Sequence, residues 1–537
     1  MKRPERRFVG GVLLFLLSGL LVACSDEPQE EGEGSGETNN SDSGGDDLVL
    51  TVVADAVDLD PHGSNDTSSA HIRTNLYDKL VEYDENMEIQ PELADGYEQI
   101  DDHTWEFRLK EDVTFHDGEP FDAEDVVATL ERVTDPEFAS EKMFLYEMIE
   151  TVEAIDDYTV QITTEYPFAP LPANLTHDGG GMMSAKAIEE EEDGGRNLNT
   201  EPVGTGPFKL ENWAQGNEVI LTQYDDYHEG PVSLDSATFQ VVDEELTRIS
   251  MVENNEAHVA DNVEPEQAGQ LESMEGADSS STESWRMDYI GMNNNAEPFD
   301  DSEVRRAISM MIDKDTIIEG IYDGYGGQAI GPLNPLVFGY SEDIDPIEYD
   351  VEEAQSLMED AGYEDGFEAT LLVEDADQLN LQVAEVVQDQ LQEINVDLSI
   401  EQQEWGSLLE TTGAGEYEMV MLGWTTVTGD ADNGLYPVFH SDNQGPSGNQ
   451  TFYSNDEVDE LLEAGRQVDE ENEDERLEIY EEAQQIIIDD APIVPIIYDD
   501  FRIGISDSVE GFIQLPSGLF DLRETEIVDE GVDQGGY

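Results

Sequence analysis

The stretch Phe367-Glu-Ala-Thr-Leu-Leu-Val373 has the length and apolar content of a buried strand. Farther on, Val396-Asp-Leu-Ser-Ile400 alternates apolar and polar residues as a second strand does. Between them, from Leu379 to Ile394, the period changes: Val383, Val387, Leu391 and Ile394 fall at i, i+4, i+8 and i+11, one face of a helix. Strand, helix and strand in succession predict a β-α-β crossover, and the apolar face of the helix is its share of the core. The chain is therefore expected to be an α/β protein.

Working outward, the same alternation of patterns recurs. A helix is predicted to start at Asp301 or Ser302 as N-cap and to carry Val304, Ala307, Ile308 and Met311 inward. From Asp122 to Val133 an Asp-x-x-Asp start again precedes apolar residues at helical spacing. Thr104 to Leu109 interleaves Thr, Glu and Arg with Trp105, Phe107 and Leu109, the pattern of a half-buried strand. His116-Asp117-Gly118 reads as a turn in which glycine supplies a positive φ and aspartate bonds the backbone. Gly204-Thr-Gly206-Pro207 has neither the lysine nor the frame of a phosphate-cradling loop and is read as scaffold. No internal repeat of fixed period is found.

The N-terminus and the charge set the compartment. Lys2, Arg3, Arg6 and Arg7 precede an apolar run from Val12 to Val22 that is too short for a span needing about 20 residues. The run ends in Leu21-Val22-Ala23-Cys24, which resembles a bacterial lipobox, and the resemblance implies that Cys24, the only cysteine, is acylated and becomes the first mature residue. Residues 1–23 are thus expected to be a signal peptide and 24–47 an acidic flexible linker without aromatic residues. Arg6-Arg7-Phe8 leaves twin-arginine and general export both open. With 129 Asp plus Glu against 22 Lys plus Arg, the formal net charge is -107, which argues against nucleic acid as a partner. At 38% hydrophobic residues the chain folds, and its acidity suits a halophilic surface: at about 1 M salt the screening length is only about 3 Å. Loss of structure on desalting is expected.

A series of motifs then lines up along the chain. These are Asp60-Pro61-His62, Asn75-Leu-Tyr77-Asp78, Pro91-Glu-Leu-Ala94, Asp101 to Leu109, Val113 to Val126, Pro202 to Phe208, and Tyr289-Ile-Gly-Met-Asn293 leading to Pro298-Phe299 and Val304-Arg305. In this order, from Leu48 to about Ile505, they resemble the extracytoplasmic solute-binding proteins that serve peptide, oligopeptide and nickel ABC importers. The resemblance implies a two-lobed periplasmic-binding-protein type II (Venus flytrap) fold with an extra third domain. Domain I would comprise residues 48–80, 200–283 and 508–537, domain II residues 81–199, and domain III residues 284–507. It also implies a monomeric receptor, without cofactor or metal, that closes on a small solute and delivers it to a permease and ATPase complex from outside the membrane.

The ligand is expected to be read by Trp424-Thr425-Thr-Val427-Thr428-Gly429-Asp430-Ala431-Asp432-Asn-Gly434-Leu-Tyr436-Pro437. Dipeptide-binding members carry an aspartate a few residues after the tryptophan, and matched from Gly423-Trp424 that acid falls at Val427, a departure from the pattern. The Thr-Gly-Asp-Ala-Asp-x-Gly run instead looks like the glutathione-binding branch, where Asp430 and Asp432 would meet an ammonium group. The alternative is that both acids serve the loop itself through Asx-type bonds. Carboxylates on the solute require cations, and 18 Lys and Arg lie beyond the signal. Arg286 comes first because it precedes the Tyr289 to Asn293 strand that joins lobes in this fold, with Arg73 and Arg248 behind it. Most other arginines, Arg305 among them, are expected to be structural. Trp405 and Trp424 are candidates to stack on flat amide faces.

No His-Glu-x-x-His, no cysteine-rich metal spacing and no Gly-x-Ser-x-Gly elbow occurs, so no catalytic residues are assigned. Other readings stay open: a receptor for a nickel chelate or oligosaccharide, a surface peptide sensor, or a surface hydrolase.

Overall fold

A computed structural model of the chain describes residues 46–271, 273–274, 276–446, 448–469 and 472–528. The signal, Cys24, nearly all of the acidic linker and the end of the C-terminal segment lie outside the described residues.

The β-α-β crossover is present. Glu368–Glu374 and Asp397–Gln403 pair in parallel, from Glu368 opposite Asp397 to Glu374 opposite Gln403. The helix Gln378–Leu391 joins them, capped by Asp377, whose carboxylate accepts from the Asn380 N–H, and a turn of 3-10 helix ends it at Ile394. Val383, Val387, Leu391 and Ile394 are all buried, as the helical spacing requires. The other predicted elements are found as well. Thr104–Leu109 is a strand, Ala123–Thr134 a helix with Asp122 and Asp125 as its capping box, and Ser302–Met310 a helix capped by Asp301.

The crossover forms one flank of an eleven-stranded mixed sheet. Its order is Asp397–Gln403, Glu368–Glu374, Met419–Thr425, Ala277–Met292, Ile493–Ser506, Val259–Ala260, Asp47–Val52, Ser236–Val241, Glu218–Gln223 and Phe208–Ala214, with Gly327–Gln328 beside Ile493–Ser506. The two central strands, of 16 and 14 residues, are the longest described and carry the chain from one half of the sheet to the other. A separate antiparallel sheet is formed by Ala94–Asp101, Thr104–Leu109, Thr159–Thr164 and Ile149–Asp156 in that order.

Apolar side chains gather on either side of the central strands, which makes two lobes. In the first, one cluster unites Leu48, Leu76, Trp105, Phe121, Phe208 and Leu522, so residues 81–199 share a core with 48–80 and 200–283. In the second, one cluster holds Ile290, Ile308, Val387 and Ile497, and another Trp285, Leu333, Phe439 and Tyr480. The chain's end closes the first lobe: the Asn75 amide donates to the Phe520 carbonyl at 2.8 Å and accepts from the Leu522 N–H at 3.0 Å. Among the described residues, no helix is long and apolar enough to cross a membrane.

Candidate functional site

A cavity of about 1290 Å³ opens between the lobes. The first lobe contributes Tyr83, Lys142, Asp178 and Asp261 to its wall, and the second contributes Trp285, Arg286 and Thr425. A smaller cavity of about 420 Å³ shares Asp261, Asn262, Arg286, Phe501 and Gln514 with it. Another hollow, of about 800 Å³ around Arg196 and Trp213, is bounded by the first lobe alone and cannot be shaped by lobe closure.

Arg286 reaches the cavity because the long strand is irregular there. Ala277 to Glu283 pair with Asp500 to Ser506, but the ladder resumes only at Met287 opposite Tyr498. Ser284, Trp285 and Arg286 therefore form a bulge, the kind of distortion that re-aims side chains out of a sheet. The bulge is held by the Trp285 N–H donating to the Pro516 carbonyl at 2.8 Å, by the Arg286 N–H donating to Ser284 Oγ at 2.9 Å, and by Ser284 Oγ donating to the Asp499 carbonyl. Arg286 Nη2 meets Asp288 Oδ1 at 2.6 Å, and 35% of its side chain stays accessible, so much of its donor fork faces the cavities. Gly423 leaves room for this pair, since a Cβ there would lie 2.2 Å from Asp288 Oδ1 and 2.3 Å from Arg286 Nη2 and would force the two side chains to shift. Burial pushes the Asp288 carboxyl up to about 6 against the pull of Arg286, whose own pKa the carboxylate raises. Beside them, the buried Trp285 Nε1 has no acceptor among the described residues.

In the Trp424 to Tyr436 loop both acids have partners within the protein. Asp430 caps the helix Ala431–Phe439 by accepting from the Asp432 N–H, and both its oxygens meet Arg476, at 2.6 and 2.8 Å. Asp432 takes both its bonds from Arg466 at 3.0 Å, and that guanidinium lies 3.6 Å from the centre of the Tyr436 ring. The geometry thus matches the structural alternative for the two acids, extended from local Asx bonding to arginine pairing. Trp424 donates from Nε1 to the Asn433 carbonyl at 2.9 Å, bracing the loop. Thr425 lines the cavity, whereas the Thr428 carbonyl accepts from Tyr83 of the first lobe at 2.7 Å.

The remaining candidates are spread out. Arg73 is 1% exposed and donates to Asp178 at 2.8 Å, and Lys142 meets the other oxygen of the same carboxylate at 2.8 Å. The two cations hold Asp178 well below the usual carboxylate range in spite of its burial. Arg248 points at four backbone carbonyls, those of Val242, Asp243, Asp261 and Asn262. Trp405 is 45% exposed at the start of the helix Trp405–Gly413. Of the expected set, Arg286 and Thr425 come together at the cavity. Tyr83, Asp261 and Trp285 were not singled out as site residues. Only Trp285 had a signal in the sequence, its place directly before Arg286.

Two α/β lobes hinged on crossing strands around a polar cavity define a two-lobed binding protein of the periplasmic type. A family model described as "Bacterial extracellular solute-binding proteins, family 5 Middle" matches residues 88–446, and the chain belongs to this family. It is 33% identical over 489 residues to the glutathione-binding protein GsiB of Salmonella typhimurium, covering 90% of this chain and 94% of that one. Among solved structures it is similar to the ABC transporter-associated periplasmic binding protein DppA of Helicobacter pylori in complex with peptide STSA, with TM-score 0.77 and 30% identity over 90% of this chain and 98% of that one. It is also similar to the ABC transporter substrate-binding protein CtaP of Listeria monocytogenes, with TM-score 0.82 and 25% identity over 90% of this chain and all of that one.

Proposed function

We propose that the chain is the receptor of an ABC importer and takes a peptide-like solute, glutathione or a short peptide, into the interlobe cavity for delivery to the membrane permease. The observation that carries this reading is the cavity itself. It is walled by both lobes, so contacts on both sides become available together only on closure. Its Arg286 fork suits a carboxylate, and polar groups fix orientation within a volume large enough for several residues. The likeness to GsiB and to peptide-bound DppA supports the solute class. The receptor acts outside the cytoplasm, tethered by lipid on Cys24 through the acidic linker as a monomer, with the three-domain division at residues 81, 200, 284 and 508. It makes and breaks no bond in its solute.

Native mass spectrometry of protein purified at high salt is expected to find a peptide-like molecule retained. Added glutathione or short peptides are expected to raise thermal stability, since a ligand at 100 times its dissociation constant adds about 2.7 kcal/mol. No shift with any of them at saturating concentration overturns the peptide reading.

A further inference from the structure

Asp261 stands at the junction of the two cavities, and among the described residues no lysine or arginine forms an ion pair with its carboxylate. It follows the short strand Val259–Ala260, its N–H donates to the Thr51 carbonyl at 3.0 Å, and Asn262 after it has φ +50. Arg248 fixes this corner from beneath: its Nε donates to the Asp261 carbonyl at 2.9 Å and its Nη2 to the Asn262 carbonyl at 3.0 Å. The guanidinium is thereby spent on backbone, and Arg248 acts as a positioning residue for the corner that presents Asp261. The charge of Arg248 acts on the Asp261 carboxylate only from a distance, and the Asn262 N–H bonds it; among the described residues no lysine or arginine comes within ion-pair distance of it and no side chain hydrogen-bonds to it.

Its neighbour deepens the contrast. His71, 5% exposed, lines the same large cavity and stacks on Phe520 with ring centres 4.1 Å apart, while its buried Nδ1 has no partner among the described residues. Burial lowers the pKa of this imidazole against the pull of Asp261 and Asp66, and burial also pushes the Asp261 carboxyl upward. Four other acids of the site and its surroundings differ. Asp178, Asp288, Asp430 and Asp432 all meet a lysine or arginine at 3.0 Å or less. A carboxylate placed by an arginine-held corner, set in a solute cavity and left without a contacting cation is a receptor for a cation that arrives with the solute.

We propose that Asp261 receives a primary ammonium group of the solute, opposite Arg286 in the same cavity, so that the ammonium is held by the first lobe and not by the Asp430–Asp432 loop. The proposal rests on the peptide-like reading and adds a site to it. The ammonium can be an α-amino group or a lysine side chain, and the test separates the two.

Calorimetric titrations at high salt with the wild-type protein and Asp261→Asn would use trialanine, N-acetyl-trialanine and N-acetyl-Ala-Ala-Lys. The expected result is that the wild type binds trialanine, and that Asp261→Asn weakens this at least tenfold while binding N-acetyl-trialanine as the wild type does. A loss confined to N-acetyl-Ala-Ala-Lys instead assigns Asp261 to a side-chain ammonium. Equal binding of both ammonium probes by the two proteins overturns the role of Asp261 and leaves the peptide reading standing. Failure of the wild type to bind any of the three overturns the role of Asp261, and failure to bind glutathione as well overturns the peptide-like reading with it. A loss on the acetylated probe as large as on trialanine overturns the proposal too, because it is then not tied to the ammonium. Asp261→Ser, run alongside with melting curves of each variant, is expected to reproduce the pattern.

Discussion

Asp430 shows how one residue type supports two opposed readings. In the sequence it stands in a Thr-Gly-Asp-Ala-Asp run that invites a ligand; in the structure its side chain is 5% exposed and locked to Arg476. Removing one member of a buried pair leaves the other charge uncompensated, at about 3–5 kcal/mol. Asp430→Ala is accordingly expected to lower the unfolding free energy by that amount in urea titrations at high salt, and a change below about 1 kcal/mol would contradict the pairing. The run was legible but its partners were not. Arg466 and Arg476 lie 34 and 46 residues away, and no local pattern specifies where their segments dock. Asp261 was harder still, because Val-Ala-Asp-Asn carries no motif, and its meaning depends on which strands flank it.

At the scale of elements, the turn around His116 and the Gly204–Gly206 loop are stitched by three bonds. The Gly204 N–H donates to His116 Nδ1 at 3.3 Å, His116 Nε2 bonds the Gly206 carbonyl at 3.0 Å, and the His116 N–H donates to the Gly204 carbonyl at 2.9 Å. The ring must be neutral to accept at Nδ1, and burial lowers its pKa from 6.5 to about 4. Between those values the unfolded chain binds the extra proton, so this contribution is complete above pH 6.5 and is lost as pH falls toward 4. The slope is about 1.4 kcal/mol per pH unit for the one group. Melting temperature at constant salt is expected to fall as pH drops from 6.5 to 5, and His116→Asn to reduce that fall; an unchanged slope in the variant would remove His116 as its source. Elements with strong periods, such as Thr104–Leu109 and the crossover helix, were readable from sequence within a few residues. The central strand was read only near Tyr289 to Asn293, because Ser279-Ser-Ser-Thr282-Glu283 shows no apolar alternation and takes its strand conformation from pairing with Ile493–Ser506.

The whole molecule balances a large self-repulsion against contacts that cross between lobes. Tyr83 bonds Thr428, the Ala169 N–H bonds the Arg466 carbonyl at 2.9 Å, and the Arg466 guanidinium faces the Phe168 ring at 5.4 Å. With a formal charge of -107, dilute buffer exposes the fold to repulsion that concentrated salt screens. Melting temperature is expected to rise steadily from 0.1 M to above 1 M salt, and a flat or falling curve would show that surface repulsion does not limit stability. The overall architecture was legible because collinear motifs mark it; the shared core of residues 48–283 was not, since packing between distant segments leaves no periodic trace.

The tie between Asn75 and Phe520 spans 445 residues of chain. At a ribosomal pace of roughly 5–20 residues per second, about 20 to 90 s separate the making of its two halves. Hydrophobic collapse takes microseconds, so the helix Thr67–Leu76 can pack on earlier segments such as Phe208–Ala214 long before its last partner, Phe520, is synthesised. The first lobe to be translated is therefore the last to be finished.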